Sequence, residues 1–197
     1  MSKRRIAVAG VLSAILTLSL IGPATAARVY NADTNTWEDA GTVKARNKRG
    51  SPIARTIVDY ETTLKPGTIV VETSERRLYL VLEDGKAMRY GIGVGRDGFR
   101  WSGQHKITRV AEWPGWTPPA QMRKRVPDLP AYMPGGPDNP LGARALYIGS
   151  TLYRIHGTSE PWTIGQAVSS GCIRLTNEDI TDLYERVKVG ALVVVRQ

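Results

Sequence analysis

Proline is unevenly distributed in this chain, and its distribution constrains the fold more than any other feature. Eight of the twelve prolines lie between Pro114 and Pro140. Because proline lacks a backbone N–H and disrupts helix interiors, this stretch can form neither a central strand nor a long helix, apart from a short segment at 120–124. A long loop in a compact domain usually serves as a lid or a binding loop. Large side chains that favour an ordered loop occur within it: Trp113, Trp116, Tyr132 and Met133.

Short β-strands are predicted on both sides of this proline-rich loop. Runs that alternate in polarity or are rich in β-branched residues occur at 68–72, 77–82, 87–94, 106–111, 145–148, 152–155 and 191–195. Asp84-Gly85 supplies the positive φ angles of a two-residue hairpin turn. The one well-marked helix begins at the capping residue Thr176, with Asp179 three residues later, and ends at Gly190. We therefore predict a mainly β fold with one α-helix near the C-terminus.

The first 26 residues have the order of a secretory signal peptide. Three basic residues at 3–5 precede an apolar run at 6–21, and small residues at 24–26 follow it. An uncleaved membrane anchor is the alternative, but the run is shorter than the ~20 residues of a spanning helix. The paired arginines also allow a twin-arginine signal, although the general secretory route fits the surrounding pattern better. We expect cleavage after Ala26, export, and no stable membrane anchor afterwards.

The net charge of the mature chain limits the kinds of partner that it can bind. Cleavage would remove three positive charges and no negative ones, which lowers the formal net charge from +9 to +6. A basic surface of this kind suits an acidic polymer or an anionic membrane, and export makes nucleic acid an implausible partner. The densest basic cluster, at 44–49, lies in a polar segment and is typical of a solvated tail. We predict an N-terminal extended arm at 27–62 and one folded domain at 63–197.

Cys172 is the only cysteine in the sequence, so no internal disulfide can form. A lone cysteine is often a small buried hydrophobe, but in an exported protein a free thiol is an oxidation liability. The neighbouring residues favour a nucleophile, because His156 can act as a base and Arg174 adds the positive charge that stabilises a thiolate. Gly171 allows a tight turn that can aim the backbone amides of Gly171 and Cys172 at a developing oxyanion. These residues together predict a nucleophilic cysteine.

Two other motifs compete with this interpretation, and both fit poorly. Gly93, Gly95 and Gly98 have the spacing of a dinucleotide-binding loop, but no helix is predicted after them, so we interpret them as turns and close backbone approaches. The segment 169–171 is similar to a serine nucleophile elbow without its first glycine, and both histidines lie upstream of it. Two histidines and one cysteine also lack the grouped spacing of a zinc site, so we predict neither a metal nor a cofactor.

The cysteine and the histidine stand in a recognisable pattern. His156 is followed, after a spacer, by Ser169-Ser170-Gly171-Cys172-Ile173-Arg174. This pattern resembles the catalytic domain of the L,D-transpeptidases, the YkuD family of bacterial peptidoglycan enzymes, and the resemblance extends over roughly residues 67–196. Further matching segments lie at 98–103, 113–119, 133–136 and 139–142. The family usually has a histidine where this chain has Ser170, so that position cannot supply a second imidazole.

The resemblance implies a fold and a set of site residues. We expect a mainly β fold, a sandwich-like or strongly bent mixed sheet capped by the late α-helix, with 113–142 forming part of the substrate groove. By resemblance, Cys172 is the nucleophile and His156 activates it. The Gly157 carbonyl is expected to orient the imidazole, and the Gly171 amide is expected to help hold the oxyanion. The expected substrate-binding residues are Arg174, Ser170, Ser169, Trp116, Met133 and Tyr132.

The resemblance also implies a reaction on peptidoglycan. Cys172 would form a thioester with a donor stem tetrapeptide, release D-alanine, and transfer the acyl group to an amine of an acceptor stem, giving a 3→3 cross-link, or of an outer-membrane protein. Two alternatives stay open: an L,D-carboxypeptidase or hydrolase of the same linkage, and a non-catalytic peptidoglycan-binding module. A papain-like protease is disfavoured because its cysteine precedes its histidine in the chain. The expected partners are stem peptides in the periplasm or cell wall of a bacterium.

Overall fold

The computed structural model describes residues 28–31, 36–42, 51–97 and 101–197. The predicted signal peptide, the basic cluster at 44–49 and Gly98 lie outside the described residues. Within the described ranges, no helix is both long enough and apolar enough to cross a membrane.

Strands dominate the described part of the chain. In order they are β1 Arg28–Asn31, β2 Thr36–Asp39, β3 Thr56–Asp59, β4 Ile69–Glu72, β5 Arg77–Val81, β6 Lys86–Gly91, β7 Val94–Gly95, β8 Gly103–Glu112, β9 Arg144–Ile148, β10 Arg154–His156, β11 Ala167–Ser169, β12 Ile173–Arg174 and β13 Leu192–Arg196. Helix α1, Ala120–Arg125, follows β8 within the proline-rich loop. Helix α2, Asn177–Arg186, follows β12, and a short 3-10 turn covers Pro161–Thr163.

Nine of these strands form one mixed sheet in the order β12-β10-β9-β8-β13-β4-β5-β6-β3. Strands β10 and β12 are parallel, as are β4 and β13, and the other neighbours are antiparallel. Strands β1 and β2 form a small sheet of their own, and so do β7 and β11. The predicted mainly β fold with a mixed sheet is therefore confirmed.

The hairpin predicted at Asp84-Gly85 is present between β5 and β6, with φ angles of 57° and 64° at these two residues. The predicted two-residue turn is wrong, because the Leu82 amide donates to the Lys86 carbonyl at 2.9 Å and leaves residues 83–85 in the loop. The strand predicted at 87–94 is interrupted, because β6 ends at Gly91 and Gly93 pairs with Arg174 instead. The strand predicted at 152–155 is displaced to Arg154–His156. Strands β1, β2, β3, β11 and β12 have no counterpart among the predictions.

Helix α2 is the predicted late helix, and its start is confirmed. The Thr176 hydroxyl accepts a hydrogen bond from the Asp179 amide at 3.1 Å. The predicted end at Gly190 is wrong, since the helix ends at Arg186. The next residue, Val187, has an extended backbone and buries its side chain in the core. Gly190 lies instead in the turn that leads into β13, where its φ is +96°.

Two hydrophobic clusters hold the domain together. The main core lies between the large sheet and α2, whose Ile180 and Leu183 are fully buried in it. The second cluster consists of Tyr30, Trp116, Met122, Leu129 and Leu141. Most of its members belong to the proline-rich loop, which is therefore ordered by a core of its own. Residues of the predicted arm at 27–62 also join the domain, because Tyr30 packs 6.1 Å from Trp116 and β3 pairs with β6.

Candidate active site

Two neighbouring parallel strands bring Cys172 and His156 together. His156 ends β10 and is in register with Arg174 on β12, and Cys172 directly precedes β12. The amide of Leu175 donates a hydrogen bond of 2.9 Å to the His156 carbonyl, which ties the two strands at this point. Both Cys172 and His156 line one cavity of about 680 Å³.

A tight turn precedes Cys172. Gly171 has a φ of +101°, a conformation that a side chain disfavours. The Ser169 hydroxyl accepts a hydrogen bond from the Gly171 amide at 3.2 Å and donates one to the Cys172 carbonyl at 2.6 Å. On another side, the Trp101 indole donates to the Gly171 carbonyl at 2.9 Å and stacks on Tyr153 with 4.6 Å between centroids. The backbone that carries Cys172 is therefore held by two separate side chains.

His156 is buried, with 3% of its surface exposed, and its Nδ1 lies 2.5 Å from the Gly157 carbonyl oxygen. Because a carbonyl can only accept a hydrogen bond, the contact with Gly157 favours the tautomer in which Nδ1 carries the proton and Nε2 keeps the lone pair. Burial, followed by the positive charge of Arg174, lowers the pKa of His156 to about 3. The imidazole is therefore neutral at pH 7, which is the protonation state that a general base requires.

Arg174 is buried close to His156 and pairs with a buried carboxylate. Its Nη1 lies 3.7 Å from Glu160 Oε2, and both side chains are less than one-tenth exposed. A buried pair of this kind adds little net stability, but loss of one partner leaves the other charge uncompensated. Since Arg174 also lines the cavity, Glu160 helps to hold a positive charge at the site.

The residue after His156 must be small. A Cβ at Gly157 would overlap Asn177 Oδ1 and would lie 3.1 Å from the Ala143 amide nitrogen. Asn177 is the first residue of α2, and its Oδ1 accepts a hydrogen bond from the Ala143 amide at 2.8 Å. The start of α2 therefore packs closely against Gly157 and is hydrogen-bonded to the backbone of Ala143.

The cavity wall contains most of the residues predicted to bind substrate. Those that line it are Trp116, Ser169, Ser170 and Arg174. Met133 supports this wall, because its backbone exchanges two hydrogen bonds of 2.8 Å with that of Trp116. Tyr132 is 59% exposed and its ring packs against Gly115, away from the lining residues. The structure thus places four of the six predicted substrate-binding residues at one cavity, with Met133 and Tyr132 outside its lining.

Further lining residues are not among the predicted site residues, although those on α1 lie within the loop at 113–142 that the sequence predicts to form part of the groove. They come from α1 and from the chain around the start of β10: Gln121, Arg123, Arg125, Leu152, Tyr153 and Arg154. The sequence contains one signal for the lining residues on α1. A basic run at 123–125 directly follows a segment, 113–122, that has no charged residues. Their place at the cavity depends on the packing of the proline-rich loop, which local pattern does not specify.

A mainly β domain that places a free cysteine and a neutral histidine in one cavity has the parts of a cysteine-dependent acyl-transfer enzyme. The family model for YkuD, the L,D-transpeptidase catalytic domain, matches residues 66–195. The chain therefore belongs to the YkuD family, which confirms the resemblance seen in its sequence.

Individual proteins of known sequence or structure agree with this assignment. The chain is 45% identical over 139 residues to the probable L,D-transpeptidase ErfK/SrfK of Escherichia coli (strain K12), a match that covers 66% of this chain and 44% of that protein. It thus spans less than half the length of this relative.

Two solved structures share the fold. A crystal structure described as a probable carnitine operon oxidoreductase from Brucella melitensis is 43% identical, with a TM-score of 0.51, and covers 77% of this chain and 98% of its own. L,D-transpeptidase 3 from Mycobacterium tuberculosis, in complex with a faropenem-derived adduct, is 19% identical, with a TM-score of 0.52 and coverage of 66% and 60%. The oxidoreductase name differs from that of the matched family, and the family assignment rests on the match over 66–195.

Proposed function

We propose that this protein is a peptidoglycan L,D-transpeptidase in which Cys172 forms a thioester with a donor stem tetrapeptide and passes the acyl group to an amine. The observation that carries the proposal is that Cys172 and a neutral His156 share one cavity in a member of the L,D-transpeptidase family. The signal-peptide pattern at 1–26 supports a site of action in the periplasm or cell wall of a bacterium.

The first half-reaction begins with a neutral imidazole at His156 beside Cys172. Nε2 of His156 accepts the Cys172 proton while the sulfur attacks the carbonyl carbon of the third donor residue, a diaminopimelate centre. The bond to the nitrogen of the terminal D-alanine then breaks, and the imidazolium returns the proton to that nitrogen. The products are a thioester on Cys172, free D-alanine and a neutral His156, so the base is ready to act again.

The tetrahedral intermediate needs hydrogen-bond donors for its oxyanion. We assign this role first to the backbone amide of Cys172. The sequence also predicts the Gly171 amide as an oxyanion donor, but this amide donates a hydrogen bond to the Ser169 hydroxyl. It can turn to the oxyanion only when that hydrogen bond breaks. Ser169 is buried and bonded to both neighbouring groups of the turn, so we assign it a positioning role rather than direct substrate contact.

An amine completes the reaction. Its nitrogen attacks the acyl carbon of the thioester, His156 accepts the proton that the nitrogen loses, and the Cys172 sulfur leaves and regains that proton. An amine of an acceptor stem gives a 3→3 cross-link, whereas an amine of an outer-membrane protein gives attachment of that protein to the wall. Water in place of the amine would make the protein an L,D-carboxypeptidase.

Mass spectrometry of the purified protein tests the covalent step. Incubation with a carbapenem should add the mass of one inhibitor to the wild-type protein and nothing to Cys172→Ala. An unmodified wild-type protein, or an adduct that persists in Cys172→Ala, would contradict the assignment of the nucleophile.

Muropeptide analysis with a defined tetrapeptide donor identifies the reaction. We expect dimers together with released D-alanine, and we expect His156→Ala to slow their formation by about 10²- to 10⁴-fold, the usual contribution of a general acid–base group. Tripeptides without dimers would mean hydrolysis. Retention of the protein on sacculi without any product would mean a non-catalytic binding module.

A further inference from the structure

Four arginines line the cavity. Arg123 and Arg125 come from α1, Arg154 from β10 and Arg174 from β12. Among the residues that the structure describes, no Asp or Glu belongs to this lining. Positive charge of this kind in one concave surface attracts anionic ligands and raises their local concentration.

Two of the four guanidinium groups are already engaged within the protein. Arg174 pairs with Glu160. Arg154 donates to the Leu152 carbonyl at 3.1 Å and lies 5.2 Å from the Tyr147 ring. Arg123 and Arg125 are exposed, and neither forms an ion pair with any residue in the described ranges. Arg125 interacts electrostatically with the Tyr30 hydroxyl. Since neither arginine has an ion-pair partner in the described ranges, both can bind a ligand in the cavity.

Helix α1 holds Arg123 and Arg125 at the cavity wall. Met122, on the same helix, is 6% exposed and packs in the second hydrophobic cluster, which anchors the helix to the domain. Lys124 lies between the two arginines but does not line the cavity. A guanidinium group binds a carboxylate through two parallel N–H···O bonds, and an uncharged carboxamide with one oxygen cannot reproduce them. The α1 wall is therefore suited to ionised carboxylates.

We propose that Arg123 and Arg125 bind free carboxylates of the donor stem peptide, so that the protein discriminates against donors whose carboxylates are converted to carboxamides. This proposal rests on the proposed function for the identity of the ligand, a donor stem peptide. It adds that the protein prefers this ligand when its carboxylates are free rather than converted to carboxamides. An exposed charged pair contributes up to about fivefold in affinity, so two arginines should give a preference of about tenfold. The preference should shrink as salt is raised, because exposed charges are screened.

Binding in a variant that cannot turn over tests the specificity without relying on catalysis. The Cys172→Ala protein is titrated by calorimetry with a synthetic tetrapeptide that has free carboxylates and with the same peptide in carboxamide form. We expect the free acid to bind about tenfold more tightly at low salt. Arg123→Gln combined with Arg125→Gln should remove most of that difference by weakening only the free acid.

Lys124→Gln is the matched control, because it removes one positive charge from the same helix at a position outside the cavity lining. It should leave both affinities unchanged. Equal affinity for the two peptides, or an equal loss for both in the double arginine variant, would overturn the specificity. D-alanine release by the wild-type protein is measured separately. If it is absent while the binding preference is present, the proposed reaction fails and the carboxylate site stands.

Discussion

The hydrogen bond between Trp101 and the turn before Cys172 allows a direct test of how the proposed nucleophile is positioned. The Trp101 indole donates to the Gly171 carbonyl at 2.9 Å, and its ring is within 4° of parallel to that of Tyr153. Trp101→Phe keeps an aromatic ring for the stack but removes the donor. Gly171 is buried, so its carbonyl is left without this donor, at a cost of about 1–3 kcal/mol.

That free energy should appear both in stability and in the reactivity of Cys172. We expect Trp101→Phe to lower the free energy of unfolding by about 1–2 kcal/mol in urea denaturation. A less firmly held turn spends less time in the reactive geometry, so the rate constant for carbapenem acylation should fall about tenfold, equivalent to about 1.4 kcal/mol. Time-resolved mass spectrometry measures this rate constant directly.

Trp113→Phe is the matched control, because Trp113 is 44% exposed and does not line the cavity. It should change neither quantity. If Trp101→Phe lowers stability but acylates at the wild-type rate, Trp101 supports the fold without positioning Cys172. Wild-type values for both quantities would refute the reasoning from the hydrogen bond altogether.

Three further predictions follow from burial and close packing. The pKa of His156 falls from 6.5 to about 3 on folding, so between these pH values the unfolded state binds more protons than the folded state. Acidification from about pH 6 to 4 should therefore lower the free energy of unfolding by up to about 1.4 kcal/mol per pH unit. His156→Gln should flatten this dependence in urea denaturation, and equal slopes would contradict it. Tyr30→Ala removes a buried ring that packs on Trp116, so it should cost about 3–5 kcal/mol of stability and raise KM, whereas an unchanged melting temperature would count against this packing. Gly157→Ala should lower the free energy of unfolding by about 1–3 kcal/mol and reduce kcat, because the added Cβ overlaps Asn177 Oδ1. A second substitution in the same chain, Asn177→Ala, should recover part of the stability. No recovery would mean that the overlap with Asn177 is not the cause.

Local sequence pattern is sufficient for the central strands of the main sheet but not for its edge strand β3 or for the short strands around the site. Strands β4, β5, β8 and β13 are rich in β-branched residues or alternate in polarity, so each is visible without knowledge of its neighbours. Strands β11 and β12 are only three and two residues long. They exist because Ala167 pairs with Val94 and Ile173 pairs with Ile155, across distances in the chain that no local periodicity reports.

The same distinction applies to the candidate site. Cys172 and His156 can be predicted from the sequence, together with the adjacent glycines Gly157 and Gly171. The chemistry of a nucleophilic cysteine and the family pattern both depend on residues that are close to these two in the chain. Trp101 lies 70 positions from the Gly171 carbonyl that it contacts, and the arginines of α1 lie on a helix that Met122 anchors in the second hydrophobic cluster. The Gly171 amide could be predicted only in part. Its turn is apparent from the sequence, but its engagement by the Ser169 hydroxyl depends on a side-chain direction that only the structure shows.

Ser170, in the position where the family usually has a histidine, changes the charges that surround the cysteine. Ser170 lines the cavity beside Cys172 but carries no positive charge. The positive charge of Arg174 is partly neutralised by Glu160, and His156 is neutral at pH 7. Arg174 is therefore the positively charged side chain of the described cavity wall that is nearest in sequence to Cys172, and it shares its charge with Glu160.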